Sequence, residues 1–211
     1  MKKLLSTVVA LSIALTSLFG QQDPQARKIL DAMSAKYRQT PAFKATFDYI
    51  MENETDDIYE KFQGTIFVKG DLYKLLMAGQ EMRFDGKNIW SYSKETSEVT
   101  VSPREEEDEI SISNIFEIYK TGYKYVYFGT SENGKSNLID LVPNDRNLSF
   151  FKIRMEIDAN TSELKTFKVF DKSATQYFYV VTSYVSMPTL KENSFTFSPT
   201  ELQGKELIDM R

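Results

Sequence analysis

From Phe43 onward the chain alternates apolar and polar residues in one short run after another, and this constrains its fold more than any other feature. Phe43, Ala45, Phe47, Tyr49 and Met51 alternate with Lys44, Thr46, Asp48 and Glu52, the pattern of a half-buried strand. After a polar turn at 53–57, Phe62, Gly64, Ile66 and Val68 repeat it. Tyr73, Leu75 and Met77 continue it, then Met82 and Phe84. Asp85-Gly86 predicts a tight hairpin, because glycine tolerates the positive φ of a primed turn. The return strand covers 89–93, and Val99 and Val101 lie in another before Pro103. Strands are predicted again over 123–129, 137–142, 148–158, 163–170 and 175–184. Phe195 and Phe197 predict a last short strand, with Leu207-Ile208 as its extension.

Two segments break the alternation. Asp23-Pro24 is a helix start, a capping side chain followed by proline at the first helical position. Ala26, Ile29, Leu30, Met33 and Tyr37 then recur at helical spacing until Thr40-Pro41, which predicts a helix over 24–39. Ile110 to Lys120 reads as a short helix capped by Ser113, with Ile112, Ile115, Phe116 and Tyr119 on one face. The expected fold is therefore mainly β. It has about ten or eleven antiparallel strands in meander order, with an N-terminal helix and a short mid-chain helix over the open face or mouth of the sheet.

The first twenty residues belong to another pattern. Lys2 and Lys3 precede an uncharged run from Leu4 to Phe19, and Gly20 stands before Gln21, the layout of a secretory signal peptide. Processing is expected near Gln21, leaving one domain over 21–211. No Cys follows the apolar run, so no lipid anchor is expected there. Without Lys2 and Lys3 the 26 basic residues become 24 against 30 acidic ones, a net charge of −6. An exported chain without cysteines suits a bacterial periplasm.

Composition narrows the chemistry. With no His and no Cys, histidine bases, triads, thiol nucleophiles, thiolate metal sites and His-ligated zinc are all excluded. An acidic chain is not expected to track nucleic-acid phosphates. The run Glu105 to Glu109 reads as a solvated loop. Paired carboxylates are the remaining catalytic set, but Asp48, Asp85, Asp140 and Glu156 sit in no motif, and Asp85 is explained by its turn. No enzyme, metal or cofactor is expected. Several strands are apolar on both faces, such as Tyr73/Leu75/Met77 against Leu72/Leu76 and Tyr125/Tyr127 against Val126/Phe128. Such strands need a second cover, or one face must line a cavity.

The stretch Phe62-Gln63-Gly64-Thr65-Ile66-Phe67-Val68-Lys69, the strand through Tyr73, and Phe84-Asp85-Gly86-Lys87-Asn88-Ile89-Trp90-Ser91-Tyr92 resemble the periplasmic outer-membrane lipoprotein carrier family, LolA. Leu141-Val142-Pro143, the strand of Ile153, Met155 and Ile157, and Phe195-Thr196-Phe197-Ser198-Pro199 with Leu207-Ile208-Asp209 fit the same pattern. The resemblance implies a half-open antiparallel β-barrel under a helical lid. Such a protein carries acylated lipoproteins from an inner-membrane lipoprotein-releasing transporter to an outer-membrane acceptor, as a monomer without cofactor. Joined to the alternation, it implies an acyl-chain wall of Phe47, Tyr49, Phe67, Tyr73, Leu75, Met77 and Trp90. It likewise implies a lid of Ile29, Leu30, Met33, Ile115 and Phe116. A carrier or sensor of another amphiphile is the alternative on this fold. There is one departure. Family members have a lid-latching Arg after the Val-Lys that ends the second strand, and here that position is Gly70. Lys69 and Arg83 are the candidates to take its place.

Overall fold

A computed structural model describes residues 22–104 and 115–211. The signal-like segment, the acidic run 105–109 and the predicted helical positions 110–114, with Ile112 and Ser113, lie outside the described residues. Helix α1, Pro24–Arg38, starts as its sequence dictates: the Asp23 carboxylate accepts the Gln25 and Ala26 backbone N–H groups at 2.8 and 3.2 Å. Among the described residues no helix is long and apolar enough to cross a membrane.

The strands are β1 Ala42–Asn53, β2 Ile58–Lys69, β3 Leu72–Met77, β4 Gln80–Phe84, β5 Asn88–Ser93 and β6 Glu98–Pro103. After them come β7 Tyr123–Thr130, β8 Ser136–Pro143, β9 Phe150–Asp158, β10 Leu164–Asp171, β11 Gln176–Ser186 and β12 Glu206–Asp209. They form one sheet of twelve strands in the order β12-β6-β5-β4-β3-β2-β1-β11-β10-β9-β8-β7. All neighbours are antiparallel except β12, which runs parallel to β6. β7 and β12 end the order without pairing to each other, so the sheet is open. It is also strongly curled. Tyr73 and Phe84 on β3 and β4 share one core cluster with Tyr123 and Tyr125 on β7 and with Ala26, Leu30, Met33 and Tyr37 of α1. In a flat sheet β4 and β7 would stand eight spacings, about 38 Å, apart. The helix packs on the concave side.

Two local predictions are corrected. Residues 115–117 form a turn and Ile118–Lys120 a single 3-10 turn, so the described part of the mid-chain segment is not an α-helix. It is bound to α1 nonetheless: the Tyr119 hydroxyl donates to Asp31 at 2.6 Å and the Ser34 hydroxyl to Glu117 at 3.2 Å. Phe195 and Phe197 are not in a strand. Glu192–Phe195 is a 3-10 turn, followed by the four-residue helix α2, Pro199–Leu202, and the closing strand lies at 206–209. A meander would add each new strand beside the last, but the chain runs from β11, in the middle of the sheet, to β12 beside β6 at one edge. Phe195 and Phe197 serve instead as buried anchors for that crossing.

Candidate binding cavity

Between α1 and the sheet lies a cavity of about 230 Å³. Its walls follow from strand parity. Phe43, Ala45 and Phe47 of β1, Ile66 and Val68 of β2, and Leu75 and Met77 of β3 point inward from one side. Leu164, Phe167 and Val169 of β10, with Tyr179, Val181 and Tyr184 of β11, close the other. Tyr37 in the last turn of α1, with Ile115 and Phe116, roofs it. Among the described residues no charged side chain lines the space.

The roof is an aromatic stack. Tyr37 lies flat on Phe116 with centroids 3.6 Å apart, and Tyr184 meets Tyr37 edge-on at 5.5 Å and Phe43 at 5.0 Å. The Tyr37 hydroxyl accepts the Leu164 backbone N–H at 3.2 Å, so the end of the helix is tied to β10 by a polar contact inside an apolar setting. Burial pushes the Tyr37 phenol well above its ordinary value and the Tyr179 phenol up to about 12, so both stay neutral at any physiological pH.

Gly64 shapes the floor. It stands opposite Phe47 in the β1–β2 register, and a Cβ added to it would come within 2.3 Å of the Phe47 ring. The ring lies on the bare backbone of β2, a close approach that only glycine permits. Beyond Phe47 the aromatic surface continues outward: Tyr49 is 5.2 Å from Tyr179 and stacks with Phe62 and Tyr177.

The residues named from sequence divide accordingly. Phe47, Leu75 and Met77 line the cavity, as do Ile115 and Phe116 of the roof. Tyr49 sits just past the lining, beside Tyr179. Leu30 and Met33 are fully buried in the core, and Ile29 packs against it half-buried. Tyr73 points inward but is stacked on Phe84 within the closed core. Two placements are corrections. Phe67, between inward Ile66 and Val68, takes the outer face, beneath the Lys44 ammonium at 5.7 Å. Trp90 is also outside. It packs with Val99, Val101 and Phe197, and its indole N–H donates to Asp85 at 2.8 Å.

Lys69 and Arg83 do not reach the roof. Lys69 donates to the Leu190 carbonyl at 3.2 Å and pairs with Glu192. Arg83, 3% exposed, donates to Glu81 at 2.6 Å, to Glu201 at 2.7 Å and to the Thr196 carbonyl, and covers the Phe197 ring. Both cations bind the C-terminal segment. Gly70 has φ +57°, and its N–H donates to the Pro41 carbonyl just past α1.

The lining contributed by β10 and β11 was absent from the sequence reading. Its signal was present in the alternation of Phe167 with Val169 and of Tyr179 with Val181. What the sequence does not show is that β11 pairs with β1, well over 100 residues away, and so faces the same space.

Solved structures share this architecture. A conserved protein from Thermus thermophilus matches with a TM-score of 0.58 at 12% identity, covering 88% of this chain and 99% of that one. A DUF1329 family protein from Desulfovibrio piger gives 0.50 at 11% identity, with 86% and 100% covered. The Mycobacterium tuberculosis lipoprotein LppX gives 0.50 at 10% identity, with 80% and 100% covered. At these identities the likeness shows the fold. A search of curated protein sequences finds no match. The sequence model of the outer membrane lipoprotein carrier protein LolA matches residues 38–198, from the end of α1 to the cap of α2. The chain belongs to the LolA family.

Proposed function

We propose that the protein is a periplasmic carrier that holds acyl chains of lipoproteins in the cavity under α1 and delivers them toward the outer membrane. The observation that carries this reading is the lining itself: apolar and aromatic on every described side, free of charge, and roofed by side chains rather than by a closed strand. Transfer of an acyl chain from water contributes about 0.8 kcal/mol per methylene, so ten buried methylenes supply about 8 kcal/mol. A cavity with charged or hydrogen-bonding walls would lose much of this to desolvation.

Release has to be built in as well. The roof rests on stacking and on single hydrogen bonds, which contribute about 1 kcal/mol each. It can therefore lift without breaking the sheet. In this reading the first twenty residues are removed at export and residues from 21 on act as one domain. The chain takes its cargo from an inner-membrane transporter and yields it to an outer-membrane acceptor with higher affinity. The wall consists of Phe47, Leu75 and Met77 with Tyr49 at its outer end, and Ile115 and Phe116 move with the Tyr37 ring while the buried face of α1 stays on the core. The family's description is of a carrier, and no catalytic role is proposed.

The test is competition. Purified protein loaded with an environment-sensitive apolar dye is titrated with a triacylated lipopeptide and with the same peptide unacylated. Displacement by the acylated form alone supports the proposal. Equal displacement by both, or by neither, overturns it.

A further inference from the structure

The outer side of the sheet is covered at one end and bare at the other. Over β5 and β6 the C-terminal segment buries Trp90, Val99 and Val101 under Phe197. Over β7–β11 no described segment does this. Phe128 is 58% exposed, Phe151 50%, Val126 48% and Val142 44%. These residues are interleaved with cations that lie on aromatic rings. The Arg154 guanidinium sits 3.7 Å over Phe128, Lys152 4.0 Å over Phe170, and Lys168 4.0 Å over Phe178. Strand register puts Val126, Asp140, Arg154, Lys168 and Phe178 in one row across five strands. That row is about 19 Å wide at ordinary strand spacing.

We propose that this face is a docking surface for an anionic lipid bilayer. Asp140 is bonded to Arg154 at 2.6 and 2.7 Å, and Glu156 accepts from Thr166 at 3.3 Å. Lys124 and Lys168 remain to meet negative charge, with Glu52 at the rim near Lys168. Lys152 shares Asp140 with Arg154 at a longer 3.9 Å, so four cations face the carboxylates of Asp140 and Glu156 and the face stays net basic. This basic area belongs to a chain whose net charge is −4. Exposed Phe beside Lys and Arg is the composition that anchors proteins at the headgroup boundary. The rings enter the acyl boundary while the cations stay with phosphates. On the outer faces of β1–β4 the cations are mostly paired: Lys61 with Asp48 at 2.8 Å and Lys74 with Glu81 at 3.0 Å, which leaves Lys44 over the Phe67 ring. The contacts are spread over five strands instead of converging on one groove, which suits a surface of many headgroups more than a single peptide. Docking here uses none of the cavity lining, so it stands or falls apart from the acyl-binding proposal.

The experiment is sedimentation of the purified protein with phosphatidylcholine vesicles, with and without about a third phosphatidylglycerol. Enrichment on the anionic vesicles, weakening as salt rises, is expected. Lys152→Glu and Lys168→Glu should each lower partitioning at least about fivefold. Phe128→Ser with Phe151→Ser should lower it further, while Lys135→Glu in the β7–β8 turn should leave it unchanged. Circular dichroism confirms folding, and Lys152→Gln serves as a milder second variant. Dye binding in the cavity should be retained by all of them. Equal partitioning onto neutral and anionic vesicles overturns the proposal. So does wild-type binding by the lysine and phenylalanine variants, or capture of an acidic protein by this face while vesicles are ignored.

Discussion

Two regions of the same concave surface are built differently. On β8 and β9 the inward residues Ile139, Leu141, Ile153, Met155 and Ile157 are all 0% exposed and form a filled core against α1. On β1–β3 and β11 the inward residues include Phe47, Leu75, Met77, Tyr179 and Val181, and they surround open space. Branched aliphatic side chains interdigitate at crystal-like density, whereas broad rings held apart by their own stacking leave a gap. One half of the sheet holds the fold, and the other is free to hold something else.

The largest way to test this contrast is to cut into the filled half. Ile153→Ala should cost about 2–5 kcal/mol in denaturant unfolding, since it leaves a void at a fully buried position. The folded fraction should bind apolar dye as before. In the open half the balance reverses. Leu75→Glu should weaken dye and lipopeptide binding more than tenfold, because a carboxylate among acyl chains has no partner. Its folding cost should be the smaller one, as Leu75 is only half-buried. Calorimetric binding and urea titration on both variants read the reversal directly.

Gly64→Ala sharpens the contrast within the open half. The new methyl collides with the Phe47 ring, which must swing into the cavity, an overpacking cost of about 1–3 kcal/mol. Dye capacity should fall, and Gly64→Ala combined with Phe47→Leu should regain it. Acid probes the covered outer face. The Arg83 guanidinium holds the Glu201 carboxyl down to about 2, so its pairing is complete above the ordinary glutamate range. That contribution should be lost as pH falls from about 4.5 toward 2. Thermal midpoints of the native protein should drop more over this window than those of Glu201→Gln, in which the Arg83–Glu201 pair no longer titrates and only Glu81 still faces Arg83. The smallest effect is expected at Gly70, next to Pro41 at the end of α1. Gly70→Arg should lower dye binding to the empty protein relative to Gly70→Ala, which carries the same positive-φ cost of about 1 kcal/mol.

The strands, the hairpin at Asp85-Gly86 and the start of α1 were legible because each depends on residues a few positions apart. Asp85 accepts the N–H groups of Lys87 and Asn88 at 2.9 and 2.7 Å, and that local chemistry is spelled out in order. Wall residues were legible where parity was unbroken, as for Phe47, Leu75 and Met77. Phe67 was misplaced because β2 carries large apolar residues on adjacent positions, 66 to 68, and only register decides which face each takes. Trp90 was misplaced for another reason. Its cover comes from Phe197, more than 100 residues later, and no local pattern announces a segment that crosses behind the sheet.

The central claim is that cargo sits in the open half and not in the filled one. A lipopeptide carrying a photoactivatable diazirine at the end of one acyl chain tests it, with the labelled residues mapped by mass spectrometry after digestion. The account predicts label on residues 42–53, 64–77 and 164–184, centred on Phe47, Leu75, Met77 and Phe167. Label concentrated on Ile139, Leu141 or Ile153, or spread over the outer faces alone, would contradict it.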